Sequence, residues 1–239
     1  MVIPCYNEAN TLRVCFQRVI DATFPEGWHR TVTIVDDHSD GETERVAREI
    51  ADENDQVRLI RHATNLGKGA AVRDGFASAL KSARDEDVLV VQDADLEYDP
   101  NDLAPMIDLL QQEELDAVYG DRFDRGRRES PMGGMHTRVN RFLTHASNAA
   151  TGLSVSDMEC CYKLIRAPMA RKIISELEED RFGIEPQITA ALARAQAKVG
   201  NQLISYEPRG FEDGKKIGVK DGIRAVFVIT REWFRRAAR

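Results

Sequence analysis

A chain of 239 residues, 42% hydrophobic and 31% charged, has the make-up of a globular protein with room for one large α/β domain. Its formal net charge of −7 argues against a general nucleic-acid binder, which needs a basic face. No apolar run approaches the roughly 18 residues of a membrane span, and Met1 leads into Val2-Ile3-Pro4 without the charged and apolar regions of a signal peptide. The cysteines Cys5, Cys15, Cys160 and Cys161 match no zinc spacing, and a bridge between adjacent residues is strained. Reduced thiols in a cytoplasmic protein are the simplest expectation. Met1 to Ile3 reads as the tail of a strand, so the start of the chain reads as clipped.

Taken in order, Val2-Ile3-Pro4 is a strand that turns at Cys5-Tyr6-Asn7-Glu8, since Pro4 cannot donate to a ladder and suits a strand end. Asn10 or Thr11 caps a helix to about Ala22, with Leu12, Cys15, Phe16 and Val19 on one face. A β-branched strand, Thr31 to Val35, runs into Asp36-Asp37-His38-Ser39-Asp40-Gly41, and a helix from Glu42 to Ala51 follows. Val57 to Ile60 is a third strand, closed by Asn65-Leu66-Gly67-Lys68-Gly69, and Ala70 to Ala83 is an alanine-rich helix. The fourth strand, Val88 to Gln92, stops abruptly at Asp93. Asp93, Asp95, Glu97 and Asp99 then place carboxylates at alternate positions. Leu103 to Gln112 is a helix and Asp116 to Tyr119 a fifth strand.

The second half changes character. Residues 120–141 are rich in glycine and arginine, including Arg122, Arg138 and Arg141. A helix over Arg138 to Thr151, a strand over Tyr162 to Ile165 and a helix from Pro168 to Leu177 follow, with Pro168 favourably placed in its first turn. Gly183 to Ala195 reads as a helix, Gln202 to Glu207 as a strand, and Asp221 to Arg236 as a closing helix. Arginines beside Trp233 and Phe234 suit any helix C-terminus; docking on a membrane surface is the alternative reading. No repeat or linker interrupts the chain, so residues 1–239 are expected to form one domain, with 1–120 a nucleotide half and 121–239 an acceptor half.

Alternation of strand and helix predicts a mainly parallel central sheet with helices on both faces. Ligands bind such sheets beyond the carboxyl ends of the strands. The polar clusters at Tyr6 to Glu8, Asp36 to Asp40 and Asp93 to Glu97 all follow strand ends and should converge on one crevice.

Several templates for that crevice fail. Asn65 to Gly69 lacks the first glycine of a P-loop, where His62 stands, and the hydroxyl after its lysine, where Gly69 stands. An EF-hand over Asp93 to Asp99 would need Gly at Tyr98 and Glu at Ala104. No GxGxxG follows the first strand, and no GxSxG elbow occurs. His62, His136 and His145 carry no metal pattern. Paired carboxylates after a central strand remain, with downstream arginines. They suit Mg2+ or Mn2+ bridging a diphosphate, with Asp36 or Asp37 reading the polar part of a nucleotide.

Val2 to Glu8, Val35 to Gly41, Asn65 to Ala71 and Asp93-Ala94-Asp95 occur in the order and spacing of family 2 glycosyltransferases with the GT-A fold, which the chain resembles. Gly120-Asp121-Arg122, Asp157 to Lys163 and Gly214 to Ile217 extend the resemblance to the polyprenol-phosphate sugar transferases of the dolichol-phosphate mannose synthase type. The resemblance implies a nucleoside cradle of Pro4, Tyr6 and Glu8, with Asp36 or Asp37 on the base or ribose. Lys68, Asp93 and Ala94 fall on the nucleotide side. Asp93 and Asp95 form the metal-binding DxD pair with Glu97 in support, and Asp99 is structural. Arg122, Arg138 and Lys215 or Lys216 face the donor diphosphate or an acceptor phosphate, and Asp157 stands where the broader family places a catalytic base. The implied reaction is an inverting displacement from a GDP- or UDP-linked sugar, with a polyprenyl phosphate on the cytoplasmic membrane face as the expected acceptor. His38 departs from the family's common glycine, and no C-terminal spans follow. A transferase for a soluble acceptor and a catalytically idle nucleotide-binding scaffold are the alternatives.

Overall fold

The computed structural model describes residues 1–123, 134–208 and 219–237. Strands β1 (Val2–Cys5), β2 (Val32–Asp36) and β3 (Val57–Arg61) run parallel in the order β1-β2-β3. Strands β4 (Val88–Leu89), β5 (Ala117–Asp121), β6 (Lys163–Arg166) and β7 (Val199–Leu203) lie in the order β4-β6-β5-β7. Here β6 runs antiparallel to β4 and β5, while β7 is parallel to β5. The residues just after β4 stitch the two sets together. Val2 N–H donates to Val90 O at 2.9 Å, and Gln92 N–H donates to Val2 O at 2.8 Å. The result is the expected mainly parallel sheet, with one antiparallel strand inserted.

Every residue of β2 is buried, because helices cover both faces. On one face, Ile3, Cys5, Val32 and Ile34 meet Leu12, Phe16 and Val19 of α1 (Leu12–Asp21) and Val46, Ala47 and Ile50 of α2 (Gly41–Glu53). On the other, Val2 and Val35 meet Ala71, Val72 and Phe76 of α3 (Lys68–Leu80). Each fully buried Ile or Phe contributes about 1.5–3 kcal/mol. The small residues of α3 permit its close approach: a Cβ on Gly75 would collide with the Val2 side chain. Asp40 caps α2 by accepting from Thr43 N–H at 3.0 Å.

Helix α4 (Leu103–Gln112) packs on β5 and β7. Helices α5 (Gly134–Thr151), α7 (Ile184–Arg194) and α8 (Val219–Ala237) pack on one another, while α6 (Ala167–Ile173) lies against α3 and α7. Several elements differ from expectation: β4 covers only Val88–Leu89 of the expected Val88 to Gln92, and α5 begins at Gly134 rather than Arg138. The strand expected at Gln202 to Glu207 is β7, three residues earlier, because its register is dictated by pairing from Ala117 with Val199 to Asp121 with Leu203. Its Val-Gly-Asn-Gln-Leu sequence shows no alternation, and the Leu115 side chain packs against Gly200, where a Cβ would displace its tip. The helix after Pro168 ends at Ile173 and tightens into a 3-10 turn over Ile174–Glu176.

Candidate active site

The carboxyl ends of β1 and β2 and the extended segment that follows β4 open onto one cleft of about 340 Å³. Pro4, Tyr6 and Glu8 line it after β1, Asp37 after β2, and Asp93, Ala94, Asp95 and Glu97 after β4. Lys68 enters from the start of α3 and Arg122 from just beyond β5. The three polar clusters expected to converge therefore do so.

The turn after β1 is tied to the turn after β2. Asn7, at φ 52°, receives its place from two bonds: its N–H donates to Ser39 Oγ at 3.0 Å, and its Oδ1 accepts from Asp40 N–H at 2.9 Å. Its neighbours Tyr6 and Glu8 are thereby fixed at the rim, with Thr11 Oγ1 donating to Glu8 Oε2 at 2.9 Å. His38, where the family commonly has glycine, adopts φ 60°, a left-handed conformation that glycine takes without strain.

The adjacent aspartates divide their work. Asp36 is 1% exposed and does not line the cleft. It accepts from Ser39 N–H at 3.0 Å and pairs with Arg61 at 3.1 Å. Asp37 does reach the cleft, where it braces the next loop. Leu66 N–H and Gly67 N–H each donate to it at 2.7 Å, and His62 Nδ1 lies 2.7 Å away. That loop is glycine-bearing for a steric reason. A Cβ on Gly67 or Gly69 would collide with the backbone oxygens of residues 179–181, and Gly67 sits at φ 102°. Ala70 N–H donates to Asp180 O at 3.1 Å across this contact. Two glycines thus bring Phe182 and Glu185 beside Lys68.

Lys68 Nζ lies 2.8 Å from Asp93 Oδ2 and 3.3 Å from Glu185 Oε1. Burial alone would depress the Lys68 ammonium, but the negative charges beside it, Asp93 foremost, outweigh burial and hold it well above the usual lysine range. Asp95 Oδ1 accepts from Glu97 N–H at 3.1 Å, which sets the turn, and Leu96 between them takes φ 66°. Glu97 Oε2 accepts from Tyr206 O–H at 2.7 Å. Asp99 accepts from Asn101 N–H at 3.0 Å and caps a 3-10 turn, the structural role expected of it.

Arg122 and Asp157 form a buried bidentate pair. Nε donates to Oδ2 at 2.6 Å and Nη2 donates to Oδ1 at 2.9 Å. Asp157 is 0% exposed and is absent from the cleft lining, whereas Arg122 lines it and stacks over the Tyr206 ring at 5.1 Å. Burial opposes the Arg122 charge, and Asp157 more than restores it. On α5, His136 and Asn140 line the cleft one helical turn apart. Arg138, two residues on, is exposed and outside the lining, because two helical steps rotate it about 200° away. Lys215 and Lys216 lie outside the described residues.

Sequence reasoning missed Tyr98, Glu159, Arg181, Phe182, Glu185 and Tyr206, all of which line the cleft. Glu159 lay inside a quoted motif. Tyr98 lay within the carboxylate stretch itself, Arg181 and Phe182 fell between two expected helices, and Glu185 and Tyr206 came from stretches read only as helix and strand. The four cysteines are free and buried, and burial pushes the Cys15 and Cys160 thiols up to about 12, so they are inert.

Among the described residues, no three His, Cys, Asp or Glu side chains converge into a preformed cation cage. Two hard-oxygen carboxylates on a cleft wall still fit Mg2+ or Mn2+, which commonly take one or two carboxylates and complete their shell with phosphate oxygens and water.

Comparison with known proteins places this geometry. The family model described as glycosyl transferase family 2 matches residues 1–174. Glycosyltransferase AglD of Haloferax volcanii is 26% identical over 100% of this chain and 37% of its own length. Undecaprenyl-phosphate mannosyltransferase of Micrococcus luteus is 28% identical over 96% of this chain and 91% of its own length. Thus the chain spans about a third of the first relative and nearly all of the second. Glucosyl-3-phosphoglycerate synthase from Mycobacterium tuberculosis, solved with Mn2+, uridine-diphosphate and glucosyl-3-phosphoglycerate, superposes with a TM-score of 0.67. It covers 98% of this chain and 78% of its own at 16% identity. The fold is GT-A.

Proposed function

This chain belongs to glycosyltransferase family 2, and from that premise we propose that it moves a hexose, with inversion, from a nucleotide-diphosphate sugar of the GDP-mannose or UDP-glucose type to a polyprenyl phosphate. The observation that carries the reading is the convergence of Tyr6, Glu8, Asp93 and Asp95, from two strand ends, with Lys68 and Arg122 in one cleft. The nucleoside lies against Pro4 and Tyr6, with Glu8 and Asp37 at its polar edge. Asp93 and Asp95 hold Mg2+ or Mn2+, which when bound neutralises charge on the leaving diphosphate. Lys68 keeps Asp93 oriented, and Arg122 brings a fixed positive charge that Asp157 holds in place.

Asp157 serves as the anchor of Arg122, since both its oxygens are already engaged and it has no exposed surface. A phosphate acceptor is ionised at neutral pH and needs no base, so catalysis reduces to positioning and leaving-group stabilisation. Two observations support a lipid acceptor. The Micrococcus luteus relative is named for undecaprenyl phosphate, and α8 presents an apolar stripe to solvent through Ile223, Phe227 and Phe234. No helix among the described residues is long and apolar enough to cross a membrane.

The test is transfer from GDP-mannose and UDP-glucose, each with and without a polyprenyl phosphate. Asp95→Ala is expected to lower transfer at least 100-fold, within the range of a lost electrostatic contact. Its melting temperature should stay within about 2 °C of wild type, because a cleft carboxylate contributes little to the core. Full transfer by wild type in excess chelator would remove the metal from the reading.

A further inference from the structure

Glu159 stands in the loop between α5 and β6 and lines the cleft. Its Oε1 is buried, and among the described residues no hydrogen bond reaches it. A buried polar atom without a partner is costly, about 1–3 kcal/mol, so native structures seldom keep one without a use.

Among the described residues, the two cations that act on it most, Lys163 and Arg122, are already committed. Lys163 Nζ bonds Glu185 Oε2 at 2.6 Å and the Cys160 carbonyl. Lys68 is held by Asp93 and Glu185, and Arg122 by Asp157. Glu185 is balanced by Lys163 and Lys68, which leaves Glu159 as the carboxylate on this part of the wall that no ion pair engages among the described residues. An anionic group, whether phosphate or carboxylate, is repelled there. A hydroxyl fits, because it can donate to a carboxylate, or both donate to and accept from a neutral carboxyl.

Building on the glycosyltransferase reading, we propose that Glu159 is a specificity-determining residue that binds a hydroxyl of the transferred sugar and favours neutral sugars over acidic ones. A nucleotide-diphosphate sugar is charged at its diphosphate, and its transferred ring is the hydroxyl-rich part left for such a carboxyl. The partly buried position of Glu159 suits an enclosed sugar better than an acceptor phosphate arriving at the mouth. Burial foremost, with Glu185 beside it, raises the Glu159 carboxyl to about 7, which keeps both bonding modes available near neutral pH.

Calorimetric titration with Mn2+ present tests this. UDP, UDP-glucose, UDP-glucuronate, GDP and GDP-mannose are titrated into wild type, Glu159→Gln and Glu159→Ala. Affinity for the free diphosphates should stay within about twofold in both variants, while Glu159→Ala loses about tenfold for the matching neutral sugar nucleotide, the worth of one hydrogen bond. Glu159→Gln, which keeps a carbonyl acceptor and sheds the charge, should retain most neutral-sugar affinity and narrow the gap to UDP-glucuronate. An unchanged ratio of sugar-nucleotide to diphosphate affinity in Glu159→Ala overturns the assignment. Failure of both UDP and GDP to bind wild type overturns the glycosyltransferase reading itself, and this one with it.

Discussion

Asp157 and Glu159 are two carboxylates two positions apart with opposite environments. Asp157 faces Arg122 and is satisfied on both oxygens, so removing its charge strands a buried guanidinium. Asp157→Ala is expected to cost about 3–5 kcal/mol, the usual penalty for breaking a buried pair, and denaturant unfolding measures it. A base on an exposed site would instead leave stability untouched and remove activity alone. Glu159 is buried and faces Glu185 of α7 together with Asp157 of its own loop, with Lys163 of β6 and Arg122 beyond β5 acting against them. Its carboxyl, raised from the ordinary 4.5 to about 7, keeps its proton longer in the fold than in the unfolded chain. Between those two values the native state binds more protons, so stability falls as pH rises through the interval and levels off above it. Relative to Glu159→Gln, the wild type should lose stability from pH 5 to pH 8, by at most on the order of 3 kcal/mol. Thermal melts of both proteins across that range read the difference.

At the scale of elements, the loop before α3 shows how a local sequence serves a distant contact. Gly67 and Gly69 let residues 179–181 pass against the helix start, and this places Phe182 and Glu185 over Lys68. Gly69→Ala forces that segment away from α3. Overpacking of this kind costs about 1–3 kcal/mol, which in a chain of this size lowers the melting temperature by about 2–4 °C per kcal/mol. Sugar-nucleotide binding should weaken with it, because Lys68 loses one of its two carboxylate partners; a variant with wild-type melting and binding would contradict the steric account. The glycines were visible in the sequence, but as a failed P-loop. Their reason became visible only once the opposing backbone was in place. β7 was misplaced for a related cause: its half-covered Val-Gly-Asn-Gln-Leu has no alternation of its own, and pairing with β5 decides its register.

For the whole molecule, the cleft and the apolar stripe of α8 define two working surfaces. Ile223, Phe227 and Phe234 fall within about 40° of one another on a helical wheel, while Ala225, Val228 and Ile229 face inward. Phe142 of α5, 64% exposed, adds a further large apolar side chain on a helix packed against α8. Apolar area left in water on this scale would suit docking on a bilayer surface if the proposed acceptor is a lipid phosphate. Co-sedimentation with vesicles of anionic lipid should be lost, by about tenfold or more, in a Phe227→Ser, Phe234→Ser double variant. Transfer to a short water-soluble phosphate acceptor should remain unchanged in that variant, since neither residue lines the cleft. Equal vesicle binding by wild type and variant would assign the stripe to another role.

The strand-helix alternation, the sheet's mainly parallel character and the positions of the Tyr6–Glu8, Asp36–Asp40 and Asp93–Glu97 clusters were legible in the sequence alone. The reason is that strand ends and their polar turns are local patterns. Asp99 was also legible as a cap, since Asx turns are read within a few residues. The tertiary structure decided what contacts between distant segments decide: that Asp36 is paired away from the cleft while Asp37 braces the loop over it, that Asp157 is the anchor of Arg122, and that Tyr206 joins Glu97 to Arg122. It also decided which buried carboxylate oxygen, among the described residues, has no hydrogen-bond partner. Glu159 carries the same side chain as its many acidic neighbours. Only the packing of α7, β6 and the β5 end around it commits Lys163 and Arg122 to other carboxylates and leaves its buried Oε1 without a hydrogen bond among the described residues.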